Sequence, residues 1–269
     1  MQGVCRMLNL EHLLEEAKTN GLPLLKRRGI LREYLQVIIL HSIYKYNLGR
    51  SMFFMGGTAL RFFYNMPRFS EDLDFDTPDL NFENFKKILT EIKKDLDKEG
   101  FSSSFSSEKR DNLYIAEVYF KDVMRLYDIT DKRGLDLMIK IEVYKPAWAL
   151  ENEPGVLNLY NHSFSALLLG KGNLISEKLC ALLNRKRGRD VYDILFMLKR
   201  RFPFNDQALR ANKIKGSPKK LILDHLMGLS EKELGFLAKQ VEPFLFKEDD
   251  IELVLKAPLY AERLLREYY

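Results

Sequence analysis

The chain has 269 residues, 46% of them hydrophobic and 30% charged, with a formal net charge of +5. That length, with 12% aromatics, excludes a short peptide module or a low-complexity disordered chain and leaves room for one large domain or two modest ones. Two cysteines, Cys5 and Cys180, are too few for a disulfide scaffold or a four-thiolate zinc site and fit a reducing compartment. Apolar runs such as residues 37–40 and 166–169 fall far short of the roughly 20 residues a spanning helix needs. Residues 1–6 carry no signal-peptide pattern, so the expected location is cytoplasmic, with no membrane partner.

In chain order, residues 30–46 have helical periodicity, with Leu31, Leu35, Ile38, Ile39 and Ser42 near one face. Residues 52–55 read as a short buried strand ended by Gly56-Gly57. A short helix from Thr58 to about Tyr64 is stopped by Pro67. Residues 72–76 alternate strictly and read as a strand. Asn81 or a neighbour caps a helix over 82–98 that closes at Gly100. Three strand-like runs follow at 101–108, 113–120 and 135–144, the first with little alternation, and 152–155 reads as loop. From Leu174 almost to Tyr269 the pattern is helical, with breaks near Gly188, Pro203, Gly216-Ser217-Pro218 and Pro243. The order predicts an α+β protein with an α/β core over residues 1–172, N-terminal helices included, and an all-helical lobe over 173–269.

The most informative stretch runs from Phe53 to Phe75. A strand, two glycines and a helix start leave backbone N–H groups exposed, where phosphate oxygens can bind with help from the helix dipole. Gly56 and Gly57 let a ligand approach without a Cβ in the way. Fourteen residues lie between Gly57 and Asp72. On a strand, Asp72 and Asp74 point one way while Leu73 and Phe75 point into the core. Two adjacent carboxylates repel unless a cation bridges them, and Mg²⁺ (or Mn²⁺) takes such oxygen ligands together with substrate phosphates. Either half alone has a bland reading, as a turn or as a strand end facing water; their joint occurrence favours a nucleotide and metal site.

Within residues 135–143, Leu137, Ile139, Ile141 and Val143 share one face and Asp136, Lys140 and Glu142 the other. Glu142, or alternatively Asp136, could supply a third carboxylate to ligate a second metal or accept a proton. A polar, solvated strand face is the competing reading. Residues 178–220 carry 13 Lys or Arg against three acids, a net +10 that leaves the remainder near −5. Such a stretch suits a polyanion such as RNA, or is a solvated helix surface.

Were residues 174–198 one straight helix, Lys178 and Asp193 would lie about 22 Å apart and could not share one small ligand. Gly188 permits a break, with one helix ending near Arg187 and the next starting near Arg189 or Asp190, where Asp190 would serve as a cap. His12, His41, His162 and His225 lack metal-ligand spacing and read as structural or surface residues. Arg61 could reach a phosphate or form a salt bridge. Phe62, Phe63 and Tyr64 read as core, and Arg185, Arg187 and Arg189 either steer RNA or face solvent.

Taken together, Gly-Gly-Thr-Ala-Leu-Arg from Gly56, Arg-Phe-Ser-Glu-Asp-Leu-Asp-Phe from Arg68, the Lys-Ile-Glu-Val strand from Lys140, and the segments at 175–182 and 185–195 resemble the AbiEii family of nucleotidyltransferase-like toxins, which includes the MenT toxins. The resemblance covers about residues 53–198. It implies a polymerase-β-like nucleotidyltransferase fold, a mixed sheet flanked by helices and followed by helices that complete the active site. It also implies that Gly56 and Gly57 bind nucleotide phosphates, that Asp72 and Asp74 ligate Mg²⁺, that Lys178 contacts phosphate, and that Asp193 completes the essential set. Arg68 matches the motif as a nucleotide contact, and Ser70 matches a serine that in some members is a site of inhibitory phosphorylation. Thr58 stands where serine is also common, and the Gly57–Asp72 gap is at the long end of the family's range.

The implied activity is transfer of nucleotides from an NTP to RNA, with the 3′ end of tRNA as first candidate, by a toxin whose partner is a cognate antitoxin. Two other readings stand beside it: nucleotidylation of a protein hydroxyl, and a non-catalytic nucleotide-binding relic.

Overall fold

The structure, a computed structural model, describes residues 7–268. Cys5 and the rest of residues 1–6 lie outside the described residues, and Cys180 is a free thiol. No described helix is long and apolar enough to cross a membrane.

Two helices open the chain, α1 (Leu10–Thr19) and α2 (Arg27–Lys45). The alternating core follows as β1 (Phe53–Met55), α3 (Gly56–Tyr64), β2 (Leu73–Asp76), α4 (Phe82–Glu99), β3 (Ser103–Arg110), β4 (Leu113–Phe120), α5 (Val123–Leu126), β5 (Leu137–Tyr144), β6 (Asn152–Leu159) and β7 (His162–Leu169). Helices then run to the end: α6 (Lys171–Asn184), α7 (Gly188–Lys199), α8 (Asp206–Ala211), α9 (Pro218–Met227), α10 (Glu231–Val241), α11 (Glu252–Leu255) and α12 (Ala257–Tyr268). The strands form one seven-stranded mixed sheet in the order β3-β4-β5-β2-β1-β7-β6.

Local chemistry explains most boundaries. Asn81 caps α4 by accepting the Asn84 N–H at 2.8 Å, and Gly100, at φ +93, ends it. In β5, Leu137, Ile139, Ile141 and Val143 are fully buried, as period-two alternation requires. α2 is buried on nearly every side rather than along one stripe, because it is central to its unit.

The expectation of a loop at 152–155 is overturned, since β6 occupies it and β7 follows. Asn-Glu-Pro-Gly looks like a turn, but β6 is an edge strand, where Pro154 needs no donor on its open side. A Cβ on Gly155 would fall 2.7 Å from the Phe63 ring, so glycine there serves packing rather than a turn.

The chain divides into two compact units. One comprises Met1–Asn65, Phe69–Pro146 and Asn152–Leu168, with the sheet. The other comprises Met66–Arg68, Ala147–Glu151 and Leu169–Tyr269, with the later helices.

Candidate active site

In the sheet unit, the register puts Asp74 between two partners, Met55 on antiparallel β1 and Glu142 on parallel β5. Leu73 and Phe75 are buried while Asp72 and Asp74 are half-buried on the opposite side, as alternation predicts. Glu142 is thus the carboxylate beside Asp74. Asp136 lies before β5, exposed, and accepts the Asp122 N–H at 3.2 Å, so it does not share the strand face expected for it.

Gly56 sits at φ +77, and a Cβ there would lie 2.3 Å from Oδ2 of Asp74. The start of α3 therefore closes on the carboxylate as only glycine permits. Met55, the N-cap of α3, offers no side-chain hydrogen bond, so the first-turn N–H groups carry the positive end of the helix dipole without a side-chain cap. Thr58 is fully buried, and its hydroxyl donates to the Asp72 carbonyl at 2.6 Å.

From α2, Gln36 donates to the carbonyls of Ser70 and Glu71 at 3.2 and 3.0 Å, while Arg32 pairs with Glu71 at 2.6 Å. These bonds hold the loop leading into Asp72. Arg61 makes the salt bridge rather than reaching a phosphate: it binds buried Glu33 at 2.9 and 3.1 Å, and Tyr160 adds a hydroxyl at 3.3 Å.

Lys140 bonds Glu142 at 3.1 Å. Burial lowers its pKa, but the bond to Glu142 and the charges of Asp72 and Asp74 outweigh that and raise it. The carboxylate face therefore already draws a cation. All its donors are hard oxygens, so the set fits a divalent ion such as Mg²⁺. Among the described residues no three His, Cys, Asp or Glu side chains converge closely enough to hold a metal alone. Mg²⁺ sites built from one or two carboxylates plus substrate phosphates need no such convergence.

In the helical unit, α6 ends at Asn184 and α7 starts at Gly188, so the break is present, with its first helix ending three residues before Arg187. Gly188 is required by packing: a Cβ would lie 1.9 Å from the Leu237 carbonyl oxygen on α10. The reversal brings Lys178 to Asp193 at 2.7 Å and to Asp190 at 3.3 Å. Asp190 stands in the first turn of α7, yet its role is ion pairing with Lys178 and, at 3.6 Å, Arg185, not the capping expected of it.

Arg68 grips Asp193 with two hydrogen bonds of 2.8 Å and is 1% exposed. Burial raises the Asp193 pKa, but Arg68 and Lys178 more than compensate and hold it below the usual range. Burial lowers the Lys178 pKa, and Asp193 and Asp190 reverse that and raise it.

Lys140, Gln36 and Glu33 were not singled out as site-building residues by sequence, whereas Arg61 was read as either a phosphate contact or a salt bridge. Lys140 stood on the Glu142 face, which was a usable signal. Gln36 bonds carbonyls 34 and 35 residues away, and nothing local marks it.

Residues 38–247 match the family described as nucleotidyl transferase AbiEii toxin, type IV toxin–antitoxin system. No curated protein matches. The fold is similar to that of JHP933 from Helicobacter pylori (19% identity, TM-score 0.55, covering 90% of this chain and 93% of that one). It is also similar to a candidate nucleotidyltransferase from H. pylori (20%, 0.59, covering 90% and 96%). A third similar structure is MenT4, a nucleotidyltransferase toxin from Mycobacterium tuberculosis H37Rv (16%, 0.54, covering 96% and 93%).

Proposed function

Because the chain belongs to the AbiEii family of nucleotidyltransferase toxins, we propose that it transfers nucleotides from an NTP to RNA, with the 3′ end of tRNA as acceptor. The observation that carries the proposal is Asp74, set in register beside Glu142 with the Gly56 backbone closed against it. Asp72 and Asp74 hold the divalent ion, Mg²⁺ or Mn²⁺. When bound, that ion supplies Lewis-acid activation of the attacking hydroxyl and neutralises the leaving pyrophosphate.

The chain's own groups do the rest. Gly56, Gly57 and the first N–H groups of α3 receive phosphate oxygens. Glu142 is the third carboxylate and accepts the proton of the attacking hydroxyl. As the new bond to the α-phosphorus forms, the bond to pyrophosphate breaks. Lys178 supplies positive charge to phosphate, and Asp193 is the positioning residue that holds Lys178 and Arg68. Thr58 and Ser70 belong to the nucleotide-binding segments, and Thr58 acts through the Asp72 backbone. The family also implies a cognate antitoxin as partner.

The test is incubation with each labelled NTP and total tRNA. Label should enter RNA, and Asp74→Ala should abolish it with the melting temperature preserved. Label in a protease-sensitive, RNase-resistant band would move the acceptor to protein. Absence of transfer with all four nucleotides would overturn the enzyme reading.

A further inference from the structure

Cations along α4 are matched by acids. On α4, Lys86 pairs with Glu83 at 2.8 Å, Lys94 with Glu91 at 2.7 Å, Lys98 with Asp95 at 3.1 Å, and Lys93 with Asp97. In the first part of the basic stretch, Lys178 binds Asp190 and Asp193, and Lys186 binds Glu233 at 2.7 Å. Residues 199–220 hold eight Lys or Arg against one acid, Asp206. Lys199, Arg200, Arg210, Lys213, Lys215 and Lys220 are all exposed, and among the described residues none of them makes an ion pair. Arg201 lies over the Tyr268 ring at 4.3 Å instead of meeting an acid.

The charge is densest at the α8–α9 connection. Residues 207–223 contain five cations and no acid. The turn is tight: the Lys213 N–H donates to the Arg210 carbonyl, and the Ile214 N–H to that of Leu209, each at 2.9 Å. Lys213 at φ +60 and Gly216 at φ +96 make the reversal. Like charges gathered on a tight turn repel one another, and a polyanion relieves that cost.

The chemistry also selects the kind of polyanion. Proteins that hold single strands add aromatic platforms on which bases stack. Here the two aromatics of residues 199–220 are unsuited to that: Phe202 is buried, and half-buried Phe204 already has partners. Cations without stacking surfaces address the sugar–phosphate backbone alone, which is how RNA duplexes are held.

We propose that residues 199–220, centred on the α8–α9 turn, form a docking surface for the phosphate backbone of double-stranded RNA, the stem of the acceptor. The proposal rests on the RNA-acceptor reading above. Such a surface holds the acceptor without reading its sequence, so choice among acceptors is made elsewhere.

The experiment measures binding of the full chain to a labelled RNA duplex of about 16 base pairs, and to an oligouridylate with the same number of phosphates, across a salt series. The wild type should favour the duplex. The triple variant Arg210→Gln, Lys213→Gln, Lys215→Gln should make the log–log salt slope shallower by about 3 and weaken duplex binding at least roughly tenfold near 0.1 M salt. A charge-matched control on α4, Lys86→Gln, Lys93→Gln, Lys94→Gln, should leave the slope unchanged. Equal slope changes in the two triples, or oligouridylate binding as tightly as duplex, would overturn the proposal. Running the labelled-NTP assay in parallel separates the two levels. RNA labelling by the wild type with an unmoved slope in the first triple removes the docking surface alone. Labelling confined to protein removes the RNA reading, and the surface with it.

Discussion

At Gly56 the backbone admits no other residue. A Cβ would meet Asp74 at 2.3 Å, and φ +77 is a conformation that side chains disfavour. Gly56→Ala should cost about 1–3 kcal/mol in urea denaturation and reduce transfer further by moving Asp74; an unchanged midpoint with full activity would contradict this. Thr58, two residues on, acts through a different bond. Its buried hydroxyl reaches the Asp72 carbonyl, so Thr58→Val should lower kcat while KM for NTP holds, and Thr58→Ser should recover the rate. A raised KM with kcat retained would place that hydroxyl on the phosphates instead. The glycines and aspartates were legible because each has a local signature. The job of Thr58 was not, because its partner lies fourteen residues away across a helix and a loop.

Between elements, the α6–α7 break matters most. It brings Lys178 onto the Asp193 carboxylate that Arg68 also grips, so Asp193→Asn leaves buried Arg68 and half-buried Lys178 short of a counter-charge. The expected loss is about 3–5 kcal/mol, read from urea unfolding at neutral pH. The Asp193 pKa is held below its ordinary value of 3.8. Its contribution is therefore complete above that value and lost as pH falls through the depressed one. Below about pH 4 the wild type should lose stability more steeply than the variant. The break itself could be read from Gly188, but its cause could not. Glycine is needed there because the Leu237 carbonyl presses against it, a contact between residues 49 apart in the chain.

For the whole molecule, acid sensitivity should begin earlier, at a histidine pair. The His41 and His162 rings lie 4.9 Å apart. Burial, then His41, lowers the His162 pKa to about 4, and burial, then Lys45, lowers that of His41, with Asp95 opposing. Between about pH 6.5 and 4 the unfolded chain binds a proton that folded His162 refuses, so stability falls across that window as pH drops. Unfolding midpoints at about pH 7.5 and about pH 4.5 should differ less in His162→Gln than in the wild type; equal differences would clear His162 of the effect. Periodicity, glycine placement and the paired aspartates sufficed by themselves for the α+β order, the β1–α3 turn and the β2 and β5 faces, because each is a relation among near neighbours in the chain. Tertiary structure alone decided that residues 152–155 form an edge strand, that Glu142 rather than Asp136 stands beside Asp74, that Arg61 and Arg68 are committed to buried carboxylates, and which lysines lack an acid. Those outcomes turn on pairings between distant segments, whose energies depend on burial and partner geometry that no local pattern encodes.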